Sequence, residues 1–170
     1  MTINLHAAAT QTFLVALAGL SRVLKKGEAN AIERKIDPSV FLNARLAPDM
    51  FHLIRQVQIA TDTVKGSVHR LAGLDVPKFE DNEATFAELQ ARIEKTVALV
   101  KGIPADLING HEDREVIMRR PSGDMAFKGQ DYLLGYALPN FLFHAVTAYD
   151  ILRHNGVPLS KEDYFGRANA

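Results

Sequence analysis

The chain has 170 residues, and its 20 Lys and Arg residues balance 20 Asp and Glu residues, so the formal net charge is zero. This balance argues against a nucleic-acid or anionic-membrane partner, because both require a basic face. The absence of cysteine excludes disulfides, thiolate catalysis and cysteine zinc sites. The length favours a single domain over residues 1–170.

The N-terminal apolar run does not have the form of a targeting signal. The lysines follow the run from Phe13 to Leu20, whereas a secretory signal carries its basic residues first. No stretch has the roughly 20 consecutive apolar residues that cross a bilayer. We therefore expect a soluble cytoplasmic protein.

Two helices are predicted in the first half of the chain. Apolar residues at steps of three and four predict a helix over about residues 4–26, ending at Gly27 after a pair of lysines. A second helix is expected to begin near Pro48, a good first-turn residue, and to end at Gly73.

A third helix and a short insert follow. The helix is expected to be capped by Asp81 or Asn82 and to end at Gly102. Residues 105–129 have a different pattern, with a turn signal at Pro121-Ser-Gly-Asp between two short apolar segments. We predict a short β-hairpin or an extended excursion that lies against the bundle or a partner chain.

The fourth helix is the longest apolar segment. It is expected over about residues 130–155, with a kink at Pro139 and a stop at Gly156. Four amphipathic helices with one insert between helices 3 and 4 predict an all-α, antiparallel four-helix bundle.

The fourth helix also carries the best candidate site. Asn140, His144 and Thr147 are spaced four and three apart and therefore share a face, with His154 further along it. Tyr132, Tyr136 and Tyr149 on the same helix are typical of core packing with a bonded hydroxyl, or they line a small-molecule pocket.

Two interpretations of this face remain open. In the first, His144 is one ligand of a metal and His52 or His69 of the second helix another, with Asp62 orienting a ring or ligating. In the second, which spacing alone favours, His144 is a buried histidine bonded to a neighbouring helix, and Asn140 satisfies backbone groups freed by Pro139.

The second helix carries a polar stripe opposite its apolar one. A stripe of this kind usually forms a solvated face, and the alternative is contact with a second subunit. The stripe consists of Arg55, Gln58, Asp62, Lys65 and His69.

Several segments together resemble a bacterial domain-of-unknown-function family of the DinB/YfiT-like superfamily of four-helix bundles. The resemblance covers nearly the whole chain, and its last segment is specific. These segments are Asn43–Phe51, Arg55–Asp62, Gly129–Gly135, Tyr136–Phe141 and Tyr149–Gly156.

The resemblance implies a metal pattern from which this chain departs. Metal-binding members of the superfamily use one histidine of the second helix, for which His52 is the possible match, and a His-x-x-x-His pair on the fourth. His144 falls at the second position of that pair and Asn140 at the first. Asparagine is a poor ligand for a divalent transition metal such as zinc or nickel. The resemblance therefore implies a degenerate metal site, and it also implies a homodimer formed through helix faces.

Three functions remain open. The leading hypothesis is a small-ligand-binding or stress-related bundle with a polar pocket at Tyr132, Asn140, His144 and Thr147. The second is a metal-dependent transferase performing the thiol-transfer chemistry known from the superfamily. The third is a structural or protein-interaction dimer.

Overall fold

The computed structural model describes residues 4–119 and 123–165. Four long helical segments form a bundle, and shorter elements connect them. The bundle helices are α1 (Leu5–Glu33), α3 (Leu53–Ala72), α4 (Phe86–Gly102) and α6 (Leu138–His154). The shorter elements are α2 (Pro38–Leu42), a 3₁₀ turn (Ala105–Leu107), strands β1 (Glu115–Met118) and β2 (Met125–Lys128), α5 (Gly129–Tyr132) and α7 (Lys161–Phe165).

Each bundle helix packs mainly against two others, so that α1 and α3 both contact α4 and α6. Contacts between α1 and α6 progress in the same direction along both helices. The ring of Phe13 meets that of Phe141 at 5.3 Å, and Gly27 lies against Leu152. These two helices therefore run parallel, so the expectation of an antiparallel arrangement is wrong for this pair.

The other neighbouring pairs fix the remaining directions. Hydrogen bonds show that α1 runs antiparallel to α4 and that α3 runs antiparallel to α6. The pairs are His6–Ile103 and Ser21–Gln90 in the first case, and Gln56–His144 and Thr63–Asn140 in the second. It follows that α3 and α4 are parallel neighbours.

A parallel α3 and α4 require a connection that returns along the bundle. Helix α3 has 20 residues and is roughly 30 Å long, and residues 74–85 can reach about 40 Å when extended. The connection runs back over the polar stripe of α3, placing Phe79 beside Lys65 and Glu83 beside Gln58. Gln58, Lys65 and His69 are consequently buried, so the prediction of a solvated face is wrong for them.

The predicted helix ends are partly correct. Gly73 ends α3 as predicted, with the left-handed φ of 70° that favours glycine. Gly27 does not end α1, because it is buried inside the helix where a side chain would meet Leu152. Helix α3 begins at Leu53 and not near Pro48.

The start of α4 also differs from the prediction. Its cap is Thr85, whose hydroxyl accepts from the backbone N–H of Glu88, while the Glu88 carboxylate accepts from the N–H of Thr85. This reciprocal capping box leaves Asp81 in the preceding connection, where it pairs with Arg55.

The insert forms the predicted β-hairpin. Strands β1 and β2 pair antiparallel, with Glu115 opposite Lys128 and Met118 opposite Met125. The hairpin lies against the bundle, since Val116 is buried and the Phe127 ring contacts Tyr132 and Tyr136. Most of the predicted turn, at Pro121 and Ser122, falls outside the described residues.

The last helical run contains a π-helical segment, Leu133–Ala137, between α5 and α6. The N–H of Leu138 bonds to the carbonyl of Leu133, five residues earlier. Pro139 follows directly and has no N–H to offer the preceding turn, so the helix widens where that bond is lost.

One buried apolar cluster joins all four bundle helices. Among the described residues, α1 alone is long and apolar enough to cross a membrane, a property that a count of consecutive apolar residues did not show. Half of its most apolar window is buried inside the bundle, and core helices of soluble proteins and N-terminal signal sequences meet the same criteria of length and composition.

Candidate ligand-binding cleft

An open cleft of about 270 Å³ lies between α3 and the last helical run, with the hairpin at one side. Its walls combine charged, amide, hydroxyl and aromatic groups with two apolar side chains. The lining residues are Arg55, Ile59, Asp62, Thr63, Arg70, Met118, Tyr132, Tyr136 and Asn140. This composition suits a small molecule that carries both a polar and an apolar part.

A chain of directed hydrogen bonds forms the floor of the cleft. The hydroxyl of Ser67 donates to the Thr63 carbonyl at 2.5 Å, so its oxygen is left to accept from the Tyr132 hydroxyl at 3.3 Å. Tyr132 in turn accepts from the Arg70 guanidinium at 3.3 Å. The phenol is therefore oriented, since each hydroxyl in the chain has a fixed role.

Asn140 is anchored to the opposite wall. Its Nδ2 donates to Oγ1 of Thr63 at 2.8 Å, which directs the side-chain amide toward α3 across the mouth of the cleft. The amide oxygen Oδ1 remains the acceptor of this side chain. Asn140 thus joins the two walls and contributes one polar atom beyond that bond.

The aromatic wall is built by the π-helical segment and the hairpin. The rings of Tyr132 and Tyr136 stack at 5.8 Å with an interplanar angle of 21°, and Phe127 of β2 packs on both. Met118 of β1 completes this side. Widened π turns recur at functional sites, and here the turn carries Tyr136 directly into the lining.

Asp62 links the cleft to a network of ion pairs behind it. Its Oδ1 receives Nζ of Lys65 at 2.7 Å and a guanidinium nitrogen of Arg92 at 2.9 Å. Arg92 also pairs with Asp81 and Glu83, each at 2.9 Å. The charge of Asp62 is therefore balanced within the protein.

His144 lies one turn beyond Asn140 and is half-buried, outside the lining of the cleft. Its Nδ1 is 2.7 Å from Oε1 of Gln56, whose Nε2 donates to the Phe51 carbonyl. Since the amide is oriented by that second bond, Nδ1 of His144 carries the proton. Burial and the nearby charge of Arg55 lower the pKa of His144, which favours the neutral ring.

The remaining predicted site residues do not reach the cleft. Thr147 is buried, and its hydroxyl donates to the Phe143 carbonyl of its own helix. His52 precedes α3 at the N-cap position without a side-chain cap bond. Burial, together with the charges of Arg45 and Arg55, lowers the pKa of His52. The structure thus brings Asp62, Tyr132, Tyr136 and Asn140 into one site and leaves His52, His144 and Thr147 outside it.

The side chains at these positions do not fit a transition-metal site. Within the described ranges, no three His, Asp or Glu side chains are grouped to hold an ion. Asn140 turns its N–H donor toward α3, and His144, protonated at Nδ1, keeps a lone pair on Nε2, so these two positions supply one imidazole nitrogen. Transition metals require lone pairs from at least three protein groups, and this donor set does not supply them.

Sequence reasoning missed Arg70 and Thr63 as cleft residues and assigned Arg55 to a solvated face. A signal for Arg70 was present, because Gly66 lies one turn before it on α3. A Cβ at Gly66 would lie 2.3 Å from Nη1 of Arg70, so the glycine leaves room for the guanidinium to fold back along the helix. Thr63 gave no comparable signal.

The fold and the cleft define a four-helix bundle with a candidate site between its second and fourth long helices. Residues 5–165 match the family described as Domain of unknown function (DUF1993), and the chain belongs to that family. A crystal structure of a DinB family member protein from Shewanella denitrificans is 38% identical with a TM-score of 0.89, over 98% of this chain and 94% of that chain. The predicted DinB-like fold is thereby confirmed. No curated protein matches the chain.

Proposed function

We propose that this DinB-like protein binds a small polar molecule in the cleft between α3 and α6. The observation that carries the proposal is the convergence of Arg70, Tyr136 and Asn140 from separate turns onto one open cavity. Buried hydrogen bonds hold the floor beneath these groups. A preformed cavity with a few oriented polar groups and an apolar wall is the usual form of a small-molecule site.

The donor set favours binding over the metal-dependent transferase alternative. Thiol transfer of that kind needs a metal to hold and acidify a thiol. Asn140 offers no imidazole, His144 offers one nitrogen lone pair at Nε2, and the described residues contain no group of three His, Asp or Glu side chains placed to hold an ion. We accordingly propose that the metal site is degenerate. We also propose that the protein acts in the cytoplasm.

Filling the cleft tests the proposal. Ile59 lines the cavity, so Ile59→Trp places a large ring inside it. Small polar molecules are screened against ¹⁵N-labelled protein, and amide shifts are expected to cluster at cleft residues in the wild type and to vanish in Ile59→Trp.

The matched control is Ala98→Trp, which places the same ring in a separate groove between α1 and α4 and leaves the apolar groove near Val15 unchanged. We expect this variant to retain the shifts of the wild type. Shifts confined to the groove near Val15, or shifts unchanged by Ile59→Trp, would overturn the proposal.

A further inference from the structure

Arg70 is a guanidinium in the cleft without a carboxylate partner. All Asp and Glu side chains of the chain lie within the described ranges, and none of the ion pairs there includes Arg70. Its protein hydrogen bond goes to the neutral Tyr132 hydroxyl at 3.3 Å. A guanidinium has five N–H donors in a planar fork, so most of the donors of Arg70 make no hydrogen bond to the described residues.

The other charges in the cleft are already balanced. Arg55 pairs with Asp81 at 2.5 Å, and Asp62 pairs with Lys65 and Arg92. Among the described residues, the cleft therefore carries one uncompensated positive charge, that of Arg70. An anion entering it gains a charge-assisted bond without breaking an existing ion pair.

Room for this guanidinium is built into α3. Gly66 is buried beneath it, and the position that a Cβ would occupy lies 2.3 Å from Nη1 of Arg70. The glycine has a helical backbone, where alanine would ordinarily be preferred. Its lack of a side chain lets Arg70 lie along the helix and face the Tyr136 wall.

We infer that the ligand is a small organic carboxylate, bound by the guanidinium fork of Arg70 with its uncharged body against Tyr136 and Met118. This inference rests on the proposed function and names its ligand class. A planar fork matches a carboxylate in two parallel hydrogen bonds, and the aromatic and thioether wall suits an apolar body. Asn140 lies one turn from Tyr136 on the same helical run, where its Oδ1 accepts from a donor group on that body.

The test compares two probes of the same shape. Sodium benzoate and benzamide are titrated into ¹⁵N-labelled protein, and dissociation constants are obtained from the amide shifts of cleft residues. Benzoate is expected to bind at least tenfold more tightly than benzamide, since only the carboxylate pairs with the guanidinium.

Two variants assign the difference to Arg70. Arg70→Gln removes the charge, and Gly66→Ala keeps the charge but displaces the guanidinium. Each is expected to weaken benzoate binding at least tenfold while leaving benzamide binding within twofold. Arg153→Gln, at an exposed arginine at the end of α6, is the control and should bind benzoate as the wild type does. If Arg70→Gln fails to fold, Gly66→Ala alone tests whether the guanidinium of Arg70 binds benzoate.

The outcomes distinguish a failure of the carboxylate inference from a failure of the proposed small-molecule site. Equal binding of the two probes in the cleft overturns the carboxylate ligand but keeps a small-molecule site. Tighter binding of inorganic phosphate than of benzoate also overturns the carboxylate class. No shift at any cleft residue with any probe, in this titration or in the wider screen, overturns both.

Discussion

At the scale of single residues, the tertiary fold assigns roles that residue type alone leaves open. His144 is a predicted metal ligand, yet its Nδ1 bonds Gln56 and no group of three possible ligands occurs among the described residues. Asn140 was expected to satisfy backbone groups, yet its amide bonds a threonine of the neighbouring helix. Both outcomes depend on which residues of α3 lie opposite His144 and Asn140. The periodicity of α6 alone does not specify those neighbours.

The lowered pKa of His144 predicts a pH dependence of stability. Since the folded-state pKa lies below the ordinary value of 6.5, the native state holds the ring neutral, and stability is lost as pH falls below about 6.5 toward the folded-state value. We expect the free energy of unfolding, measured with urea, to decrease from pH 7.5 to pH 5.5 in the wild type and to decrease less in His144→Gln.

A second histidine and a control variant bear on the interpretation of this measurement. His52 has a pKa shifted in the same direction, so a residual decrease remains in His144→Gln. His111→Gln, which removes an exposed imidazole, is the control variant. If the free energy of unfolding falls equally with pH in the wild type and in His144→Gln, His144 is equally easy to protonate in the folded and unfolded states, and the prediction is wrong.

At the scale of elements, the connection 74–85 is held by charges and by an aromatic ring. Arg92 of α4, with 2% of its side chain exposed, bonds the Glu80 carbonyl and pairs with Asp81 and Glu83. The Phe79 ring contacts two lysines, with its centroid 4.2 Å from Nζ of Lys65 and 4.1 Å from Nζ of Lys95. Burial by itself raises the pKa of Asp81, but the hydrogen bonds and charges of Arg55 and Arg92 lower it.

Removing the central cation should release this connection. Arg92→Met keeps the apolar stem but leaves three carboxylates without their shared partner, and we expect the free energy of unfolding to fall by about 3 kcal/mol. Hydrogen exchange should become faster for residues 74–85 before it does so in α1.

Lys95→Met is the control for this experiment. Lys95 contacts the same Phe79 ring from the exposed face of α4 but takes no part in the ion pairs of the described residues. Its removal should cost under about 1 kcal/mol. The free energy of unfolding could instead fall equally in both variants, or rise in Arg92→Met because of better apolar packing. Either result would contradict the prediction that the ion pairs of Arg92 hold this connection.

At the scale of the whole molecule, apolar surface remains on the outside of the bundle. Val15, Leu142 and Phe165 line a groove of about 410 Å³ between α1, α6 and α7. Phe143 and Val146 of α6, adjacent in sequence to Leu142 or one turn away, are 57% and 40% exposed. Large exposed apolar side chains beside an apolar groove are a feature that interaction surfaces share.

The expected homodimer stays a prediction, and this groove offers the place to test it. We expect light scattering to give a dimer mass for the wild type, because the zero net charge opposes association only weakly. Phe143→Glu should give a monomer, since a carboxylate would be desolvated in the interface. Ile32→Glu, at a residue 67% exposed near the other end of α1, should stay dimeric. A monomeric wild type, or a dimer in Phe143→Glu, would refute this interface.

Local sequence patterns are enough to predict the four-helix bundle, the hairpin insert and the stop at Gly73, because periodicity, turn residues and glycine at positive φ act over a few neighbouring positions. They also place Tyr132 and Asn140 on the helix that lines the cleft. Tertiary contacts were needed to show that α3 and α4 run parallel, that the 74–85 connection buries Lys65, and that Arg70 lies in a cleft with no counterion among the described residues. These features depend on residues distant in sequence, and helical periodicity specifies a face but not its neighbour.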